Sequence, residues 1–175
     1  MHHCFLLLGS NQGNRIENLS RAEQEIHHKI GRIQLASSVY QTAPWGFKTA
    51  LDFLNQVLIV ETEMTAGDVL EKILEIETEL GRVRNSKGYA SRMIDIDILF
   101  YDEEIIDDPQ LQIPHPRLHE RMFTLVPLME IDSDKIHPKL EKTIKQLTKE
   151  CTDKLEVKIF LQKPKSSLTK TNEPK

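Results

Sequence analysis

The stretch SRMIDIDILFYD, residues 91–102, combines an apolar run with two carboxylates, Asp95 and Asp97. Alternate residues of a β-strand face the same side of a sheet. A strand in this stretch therefore puts both aspartates on one face, with their side chains about 7 Å apart. The residues expected on the opposite, apolar face are Ile94, Ile96, Ile98 and Phe100.

Two carboxylates on one strand face repel each other, and burial strengthens that repulsion. A hard divalent cation turns the repulsion into attraction, because Mg²⁺ accepts oxygen ligands. The alternative is an ordinary strand with one hydrated face. The basic segment Gly81–Arg92, GRVRNSKGYASR, leads directly into the aspartates. Because cations beside a two-carboxylate metal site neutralise phosphate oxygens in phosphoryl transfer, this neighbour favours the metal interpretation over a merely solvated basic loop.

The bulk composition is typical of a globular domain. The chain has 175 residues, of which 29% are charged and 39% hydrophobic, and this length suits one domain with a real core. A net charge of -4 argues against a general nucleic-acid or anionic-membrane binder. The two cysteines, Cys4 and Cys151, form neither a metal-binding spacing nor a disulfide framework, which predicts a cytoplasmic protein. The apolar run Cys4–Leu8 is too short for a signal-peptide core or a membrane span.

The order of the predicted elements indicates the fold. Asn14 and Thr65 are predicted helix caps, and Gly31 and Gly81 are predicted helix stops. The elements are, in order, a strand at Cys4–Leu8, a helix from Asn14 to Gly31, strands at Ile33–Gln41 and Phe53–Glu63, a helix from Thr65 to Gly81, and the strand at 91–102. This βαββαβ order predicts an α+β fold, a ferredoxin-like sandwich.

The C-terminal part extends this pattern with further strand and helix elements. We expect a short strand near Glu104–Asp107, a helix near Lys139–Leu147 and a strand near Leu155–Leu161. Residues 1–162 are expected to form a single domain. The tail Lys163–Lys175, KPKSSLTKTNEPK, has one apolar residue and is expected to be disordered.

Some residues depart from simple structural patterns. Glu77 lies within the apolar stripe of the second helix, where a carboxylate needs a partner or an edge position that reaches water. Phe53 and Asn55 share a strand face, which suits either a flat heterocycle or ordinary core. His115 and His119 have the spacing of a zinc pair, but the glutamate of that motif is missing, which argues against zinc.

Two further segments are weighed for phosphate binding. The GSNQGN turn, Gly9–Asn14, lacks the ending of a phosphate-binding loop, so a tight turn into a capped helix is preferred. His115 and Arg121 have the donors to bind phosphate or ribose oxygens.

A set of motifs, in fixed order along the chain, points to one family. The strongest is Arg92-x-x-Asp95-Ile96-Asp97-Ile98-Leu99. The supporting motifs are Gly9-Ser10-Asn11, Thr42-x-Pro44-x-Gly46, Phe53-Leu54-Asn55, Ile76-Glu77 with Gly81-Arg82-Val83-Arg84, and Pro114-His115 with Arg121-x-Phe123. Together they resemble the 6-hydroxymethyl-7,8-dihydropterin pyrophosphokinases of folate biosynthesis, from the first strand to about Leu128.

The resemblance implies a monomeric enzyme with a ferredoxin-like fold. It implies transfer of the β,γ-diphosphate of ATP to the hydroxymethyl group of the pterin, with release of AMP. It also implies two Mg²⁺ ions between ATP and the residues Asp95 and Asp97. The partners are then these two small substrates, with neither nucleic acid nor membrane.

The resemblance also implies the roles of individual residues. Arg82 and Arg92 are implied catalytic residues in a loop that closes on the reaction. The residues implied to bind ATP are Glu77, Arg84, Tyr89, Arg92, Ile98, His115 and Arg121. The residues implied to bind the pterin are Thr42, Ala43, Trp45, Phe53, Asn55 and Phe123.

The chain departs from the family pattern at Gly88, Tyr89, Ser91 and Pro116, which affects the expected loop closure and ATP affinity more than the reaction itself. Two alternatives stay open from the residues alone. One is a different two-metal enzyme on the same fold, such as a nucleotide cyclase or nucleotidyl transferase. The other is a non-catalytic RNA-binding module, although such modules need aromatic residues on the central strands.

Overall fold

The computed structural model describes residues 1–44, 51–81 and 93–163, which form a mixed α/β fold around an antiparallel sheet. The strands are β1 His2–Ser10, β2 Arg32–Ala36, β3 Val39–Thr42, β4 Phe53–Thr62, β5 Asp95–Tyr101, β6 Ile106–Asp107, β7 Gln112–Ile113, β8 Ile136–His137, β9 Lys142–Thr143 and β10 Val157–Leu161. The helices are α1 Arg15–Lys29, α2 Ala66–Glu79, α3 Met122–Ile131 and α4 Ile144–Glu150, with a 3-10 turn at Leu118–Glu120.

The main sheet has the strand order β10-β3-β4-β1-β5, and β2 also pairs with β4. Each pairing in it is antiparallel. Strand β1 lies between β4 and β5, so the first strand of the chain joins the two halves of the sheet. The predicted order of strands and helices is found in the structure, with the corrections that follow.

The predicted single strand at Ile33–Gln41 is wrong, because the structure has two strands there. Ala36 pairs with Leu58, and Tyr40 pairs with Asn55. The segment from β2 to β3 therefore advances by four residues between these pairs, while β4 advances by three. The extra residue bends the chain as a β-bulge does. At the bend Ser37 makes two hydrogen bonds to Val57 of β4. Its N–H donates to the Val57 carbonyl, and its Oγ accepts from the Val57 N–H, both at 2.9 Å.

Each face of the sheet has its own apolar core. On one face, side chains from β1 and β5 pack against α1 and α2; this core includes Leu6, Leu8, Leu19, Ile26, Ile73 and Ile96. On the other face, which we call the α3 face, β1 and β4 pack against α3 and α4; this core includes Leu7, Val57, Leu125, Leu128, Ile144 and Leu147. The alternation of Leu6, Leu7 and Leu8 shows why β1 is apolar throughout, since both of its faces are buried.

The sequence analysis missed α3 and misplaced the start of α4. Helix α3 contains Pro127 and has no side-chain capping bond at Arg121, so the ordinary start signal is missing. The helix predicted at Lys139–Leu147 begins only at Ile144, where Thr143 and Gln146 form a capping box. The residues before it form the hairpin of β8 and β9.

The apolar face predicted for the strand with the two aspartates, β5, is correct for Ile94, Ile96 and Ile98 only. Leu6 pairs with Ile98 but Phe5 pairs with Phe100, so Leu99 is an extra residue on β5. Beyond this bulge the faces exchange, because side-chain direction alternates with every residue. Ile94, Ile96 and Ile98 pack against α1 and α2, whereas Phe100 packs on the α3 face.

The predicted helix caps are confirmed. The Asn14 side chain accepts a hydrogen bond from the Glu17 N–H, and Thr65 and Asp68 form a reciprocal capping box. Gly81 follows α2 with a φ of 91°, the left-handed conformation typical of a helix stop. None of the helices within residues 1–44, 51–81 and 93–163 is long and apolar enough to cross a membrane.

Gly31 has a packing role rather than a conformational one. A Cβ atom built at this position would lie 2.1 Å from the carbonyl oxygen of Glu61 on β4. The Thr62 hydroxyl also donates to the Ile30 carbonyl, at 2.7 Å. The end of α1 therefore rests directly on the backbone of β4, and only glycine leaves enough room.

We expect Gly31→Ala to lower the free energy of unfolding by about 2–3 kcal/mol, as overpacking against backbone does. Gly67→Ala is the matched control, because the nearest atom to its added Cβ is the Thr65 hydroxyl at 3.8 Å. That change lies in the first turn of α2 and is expected to be neutral or to stabilise by about 0.5–1 kcal/mol. Urea unfolding of both variants measures the difference, and equal stabilities would contradict the packing role.

Candidate active site

Asp95 and Asp97 lie at the start of β5, both half-buried, on the α3 face of the sheet. Asp95 pairs with Gly9 of β1 and Asp97 pairs with Leu7. Leu7 belongs to the core of the α3 face, so the carboxylates point to the same side. The predicted division of this strand into an acidic face and an apolar face is confirmed at this end.

Gly9 is the residue of β1 that lies between Asp95 and β4, and it has no side chain. It pairs with Asp95 on one side and with Asn55 on the other. A Cβ at Gly9 would lie 3.3 Å from the Asn55 Oδ1 atom and 3.9 Å from the Phe53 ring. Because neighbouring strands lie about 4.8 Å apart, the backbones of Asn55 and Asp95 are separated by about 10 Å, with no side chain on Gly9 between them.

The amide of Asn55 is held in one orientation. Its Nδ2 donates to the hydroxyl of Thr42 on β3 at 2.9 Å, and both side chains are buried. The Oδ1 atom is therefore the one turned towards Gly9. Phe53, two residues earlier on β4, is half-buried on the same face and supplies an aromatic surface beside the amide.

The segment before α3 brings His115 beside β5. Its N–H donates to the Leu99 carbonyl at 3.0 Å, and its Nδ1 accepts from the Arg117 N–H at 3.1 Å. Burial, followed by the charges of Arg121 and Arg117, lowers the pKa of His115 to about 4, with the charge of Asp95 acting in the opposite direction. At neutral pH the ring is uncharged, and because Nδ1 accepts, Nε2 is the ring donor.

Arg121 and Phe123 complete the same side of the sheet. Arg121 is 8% exposed, and its guanidinium carbon lies 5.6 Å from the centre of the Phe123 ring. Phe123 is the second residue of α3 and packs at the edge of the core on the α3 face. A fixed positive charge and an aromatic ring therefore stand on the face that holds the two aspartates.

Glu77 and Ile98 lie on the opposite face. Glu77 is 1% exposed, so an edge position that reaches water is wrong for this residue. Its Oε1 accepts from the Ile96 N–H at 2.9 Å, which ties α2 to β5 between the two aspartates. The Ile98 side chain packs against α1 and α2, so only its backbone can meet a ligand on the α3 face. Their implied contacts with ATP stay predictions.

The remaining predicted site residues fall into two groups. Ala43 is exposed just after β3, and Pro116 is exposed in the turn after His115. The other predicted site residues lie outside the described ranges: Trp45, Arg82, Arg84, Tyr89 and Arg92. Gly88 and Ser91, two of the departures from the family pattern, also lie outside them.

Three residues beside the candidate site were not singled out from the sequence: Gly9, Ser10 and Asn18. Gly9 and Ser10 entered only as part of a turn motif. Asn18 is buried on the inner face of α1, four residues before Ala22, and a polar residue on that apolar stripe was the signal.

The donor set suits Mg²⁺ shared with a phosphate ligand. Within residues 1–44, 51–81 and 93–163, no group of three or more His, Cys, Asp or Glu side chains could hold a metal ion. Mg²⁺ is commonly bound by one or two carboxylates, with substrate phosphates and water completing its octahedron. Asp95 and Asp97 meet that requirement.

Comparison with known proteins identifies the family. The family model described as 7,8-dihydro-6-hydroxymethylpterin-pyrophosphokinase (HPPK) matches residues 5–133. The chain belongs to this family. The resemblance seen in the sequence is therefore confirmed, and it identifies an enzyme of the pyrophosphokinase class, which neither alternative from the residues alone predicts.

Individual relatives agree with the family. The 2-amino-4-hydroxy-6-hydroxymethyldihydropteridine pyrophosphokinase of Aquifex aeolicus is 39% identical over 152 residues, 87% of this chain and 94% of that protein. The protein of the same name from Bacillus subtilis is 36% identical over 161 residues, 91% of each chain.

A crystal structure of HPPK-DHPS from Plasmodium falciparum matches the fold with a TM-score of 0.70 at 18% identity. The match covers 85% of this chain and 44% of that one, so the chain spans less than half the length of this solved relative.

The free energy of unfolding is expected to fall as the pH drops from 6.5 towards 4. Unfolded histidine binds a proton near pH 6.5, whereas His115 and His137 have a folded-state pKa of about 4. Across this window the unfolded state binds more protons, so acid stabilises it relative to the folded state. Urea unfolding at pH 7, 6 and 5 measures the slope.

The double variant His115→Gln/His137→Gln should have a shallower slope between pH 6.5 and 5 than the parent protein. His27→Gln, on the exposed side of α1, is the control and should keep the parent slope. A double variant as steep as the parent would contradict the assignment.

Proposed function

We propose that this chain transfers the β,γ-diphosphate of ATP to the hydroxymethyl group of 6-hydroxymethyl-7,8-dihydropterin, giving the pterin diphosphate and AMP in folate biosynthesis. One observation supports this most strongly. The row Asp95, Gly9, Asn55 puts a carboxylate and an amide on either side of a bare strand position. A phosphate-binding end and a heterocycle-binding end are thereby about 10 Å apart on one sheet face.

In this proposal Asp95 and Asp97 hold two Mg²⁺ ions together with the phosphate oxygens of ATP. Bound Mg²⁺ supplies charge neutralisation on those oxygens and makes the hydroxymethyl group more acidic. The half-buried aspartates suit this role, because Mg²⁺ takes oxygen ligands and both carboxylates lie on one strand face.

The pterin is bound across Gly9. Asn55 accepts from the edge of the ring through Oδ1, while Thr42 fixes the orientation of its amide. Phe53 from the sheet and Phe123 from α3 offer aromatic surfaces on the same face, and a heterocycle stacks well between two such rings. Ala43 and Trp45 remain predicted contacts of the ring edge. The binding site thus presents the hydroxymethyl oxygen to the carboxylate end.

ATP is bound from the side of α3. Arg121 brings a permanent charge, and neutral His115 brings an Nε2 donor, both suited to phosphate oxygens. Arg82 and Arg92 are predicted to offset the charge that develops on the transferred and leaving groups. No described side chain of the face is positioned as a strong general base, so positioning and electrostatics supply most of the rate.

We further infer a ferredoxin-like fold, which the sheet order β3-β4-β1-β5 with α1 and α2 on one face supports. The single domain at 1–162, the monomeric state and the cytoplasmic location stay predictions. The two free cysteines, Cys4 and Cys151, support the last of these. Lys163, the first residue of the predicted tail, hydrogen bonds to Ser38 and Glu23, and the rest of the tail lies outside the described residues.

We expect Asp95→Asn and Asp97→Asn each to lower turnover by about 10³-fold, since each removes several kcal/mol of charge stabilisation. The free energy of unfolding without metal should be unchanged or higher, because one of two repelling charges is gone. Asp107→Asn on the exposed strand β6 is the control and should be fully active. The assay follows AMP with ATP and Mg²⁺, with and without the pterin.

AMP release that does not depend on the pterin would contradict the proposed reaction and favour another nucleotide-using enzyme. Near-normal turnover of both aspartate variants would contradict the metal role while leaving the reaction intact.

Phe123→Ala should raise the KM for the pterin by about tenfold, the amount expected for loss of one stacking surface. The KM for ATP should change much less. Phe160→Ala is the matched control, because Phe160 is 46% exposed on the outermost strand β10. Equal losses for both substrates would show that Phe123 supports the site as a whole and does not stack on the pterin.

A further inference from the structure

A chain of hydrogen bonds, of which the central one is buried, joins α1, β1 and the entry to β5. The Asn18 Nδ2 donates to the Ser10 hydroxyl at 3.1 Å and to the Gln12 carbonyl at 2.9 Å. The Ser10 hydroxyl donates in turn to the carbonyl of Met93 at 2.5 Å. Ser10 is fully buried and Asn18 is 7% exposed, so the bond between their side chains is shielded from water, and the bonds to the Gln12 and Met93 carbonyls are partly buried. We call Ser10, Asn18 and Met93 the strand clamp.

The strand clamp is reinforced by packing of the Met93 side chain. A Cβ built on Gly13 would lie 3.3 Å from Cε and 3.5 Å from Sδ of Met93, so this side chain covers the turn directly. Gly13 has a φ of 59°, the left-handed conformation that glycine adopts without strain. The GSNQGN turn therefore packs against a neighbouring segment of the chain.

The strand clamp acts close to Asp95. Met93 precedes Asp95 by two residues, and Asp95 is the first residue of β5 to pair with β1. Its partner Gly9 is next to Ser10 in the sequence. The Ser10–Met93 bond thus continues the β1–β5 pairing by a side chain, just beyond the last ladder pair.

We propose that Ser10 and Asn18 are positioning residues for the Asp95 carboxylate. The Ser10 hydroxyl sets how close β5 enters beside β1, and Asn18 orients that hydroxyl by donating to its oxygen. A hydroxyl has one hydrogen, and with Asn18 as donor the Ser10 hydrogen points at Met93. This inference rests on the proposed metal role of Asp95.

Carboxylates at a metal site need neighbouring groups to hold them in one orientation. Outer-shell hydrogen bonds orient metal ligands, and losing one costs about 10–100-fold in metal affinity or activity. From the α1–α2 side Glu77 holds the Ile96 N–H, but no described side chain other than Ser10 is seen to bond to the Met93 carbonyl. Removing the hydroxyl frees the end of β5 on which Asp95 lies.

The test compares Ser10→Ala and Asn18→Ala with Asn14→Ala as the control. Asn14 caps the same helix at an exposed position and has no bond to β5, so its loss destabilises α1 without touching the strand clamp. Calorimetry measures Mn²⁺ binding in the presence of a non-hydrolysable ATP analogue, and the assay measures the Mg²⁺ concentration for half-maximal rate. Amide exchange at Ile94 and Ile96 reports the order of the start of β5.

For Ser10→Ala and Asn18→Ala we expect metal affinity to fall about tenfold, with a matching rise in the Mg²⁺ requirement. Exchange at Ile94 and Ile96 should be faster, while the KM for the pterin changes little. Asn14→Ala should lower the melting temperature but leave metal affinity and exchange at β5 as in the parent. Ser10→Thr, which keeps the hydroxyl, should restore most of the affinity.

Metal affinities in Ser10→Ala and Asn18→Ala equal to that of Asn14→Ala would overturn the proposal. If Ser10→Ala does not fold, Asn18→Ala alone decides, because it leaves the Ser10 hydroxyl in place and removes only its orientation. Asp95→Asn is run in parallel. If that variant binds metal normally, the metal role itself fails; if it loses metal while the clamp variants do not, only the positioning role fails.

Discussion

Strand β1 is hydrogen bonded along both edges, to β4 and to β5, and the candidate active site depends on this double pairing. The two registers meet at Gly9, between Asn55 and Asp95. A slip of one residue in either register would turn one of these side chains to the opposite face. The alternation of Leu6, Leu7 and Leu8 between two buried cores opposes such a slip, because every β1 side chain would then move to the wrong core.

The charged groups near β5 are divided between the two faces of the strand. On the α3 face, Asp95 and Asp97 stand with Arg121 and with a histidine kept neutral by burial and by arginine charges. On the other face, the carboxylate of Glu77 accepts a hydrogen bond from the Ile96 N–H. The Glu77 carboxylate thus binds the backbone of the acidic strand through the Ile96 N–H, whereas the two aspartate side chains lie on the α3 face.

The C-terminal elements have a supporting role that the family match does not cover. The matched residues 5–133 include the sheet strands from β1 to β5 and helix α3. Helix α4 lies beyond them and buries Ile144 and Leu147 against α3 and the sheet.

Within the matched residues, Glu130 of α3 accepts hydrogen bonds from the Ser38 N–H, the Ser38 hydroxyl and the Tyr40 hydroxyl. These contacts hold α3, and with it Phe123, over the sheet.

The sequence alone determined the order of elements from β1 to β5, apart from the division between β2 and β3, and it determined the helix caps and the acidic face of β5, since each depends on residues close together in the chain. It also identified the family through motifs of fixed order. It could not determine the bulges at Ser37 and Leu99, because a bulge is defined only by the strand opposite. Helix α3 lacked local start signals and is held by packing. The role of Gly9, the orientation of Asn55 and the bond from Ser10 to Met93 arise from contacts between residues 13 to 86 positions apart. Such contacts exist only once the sheet has formed, so only the tertiary structure decided them.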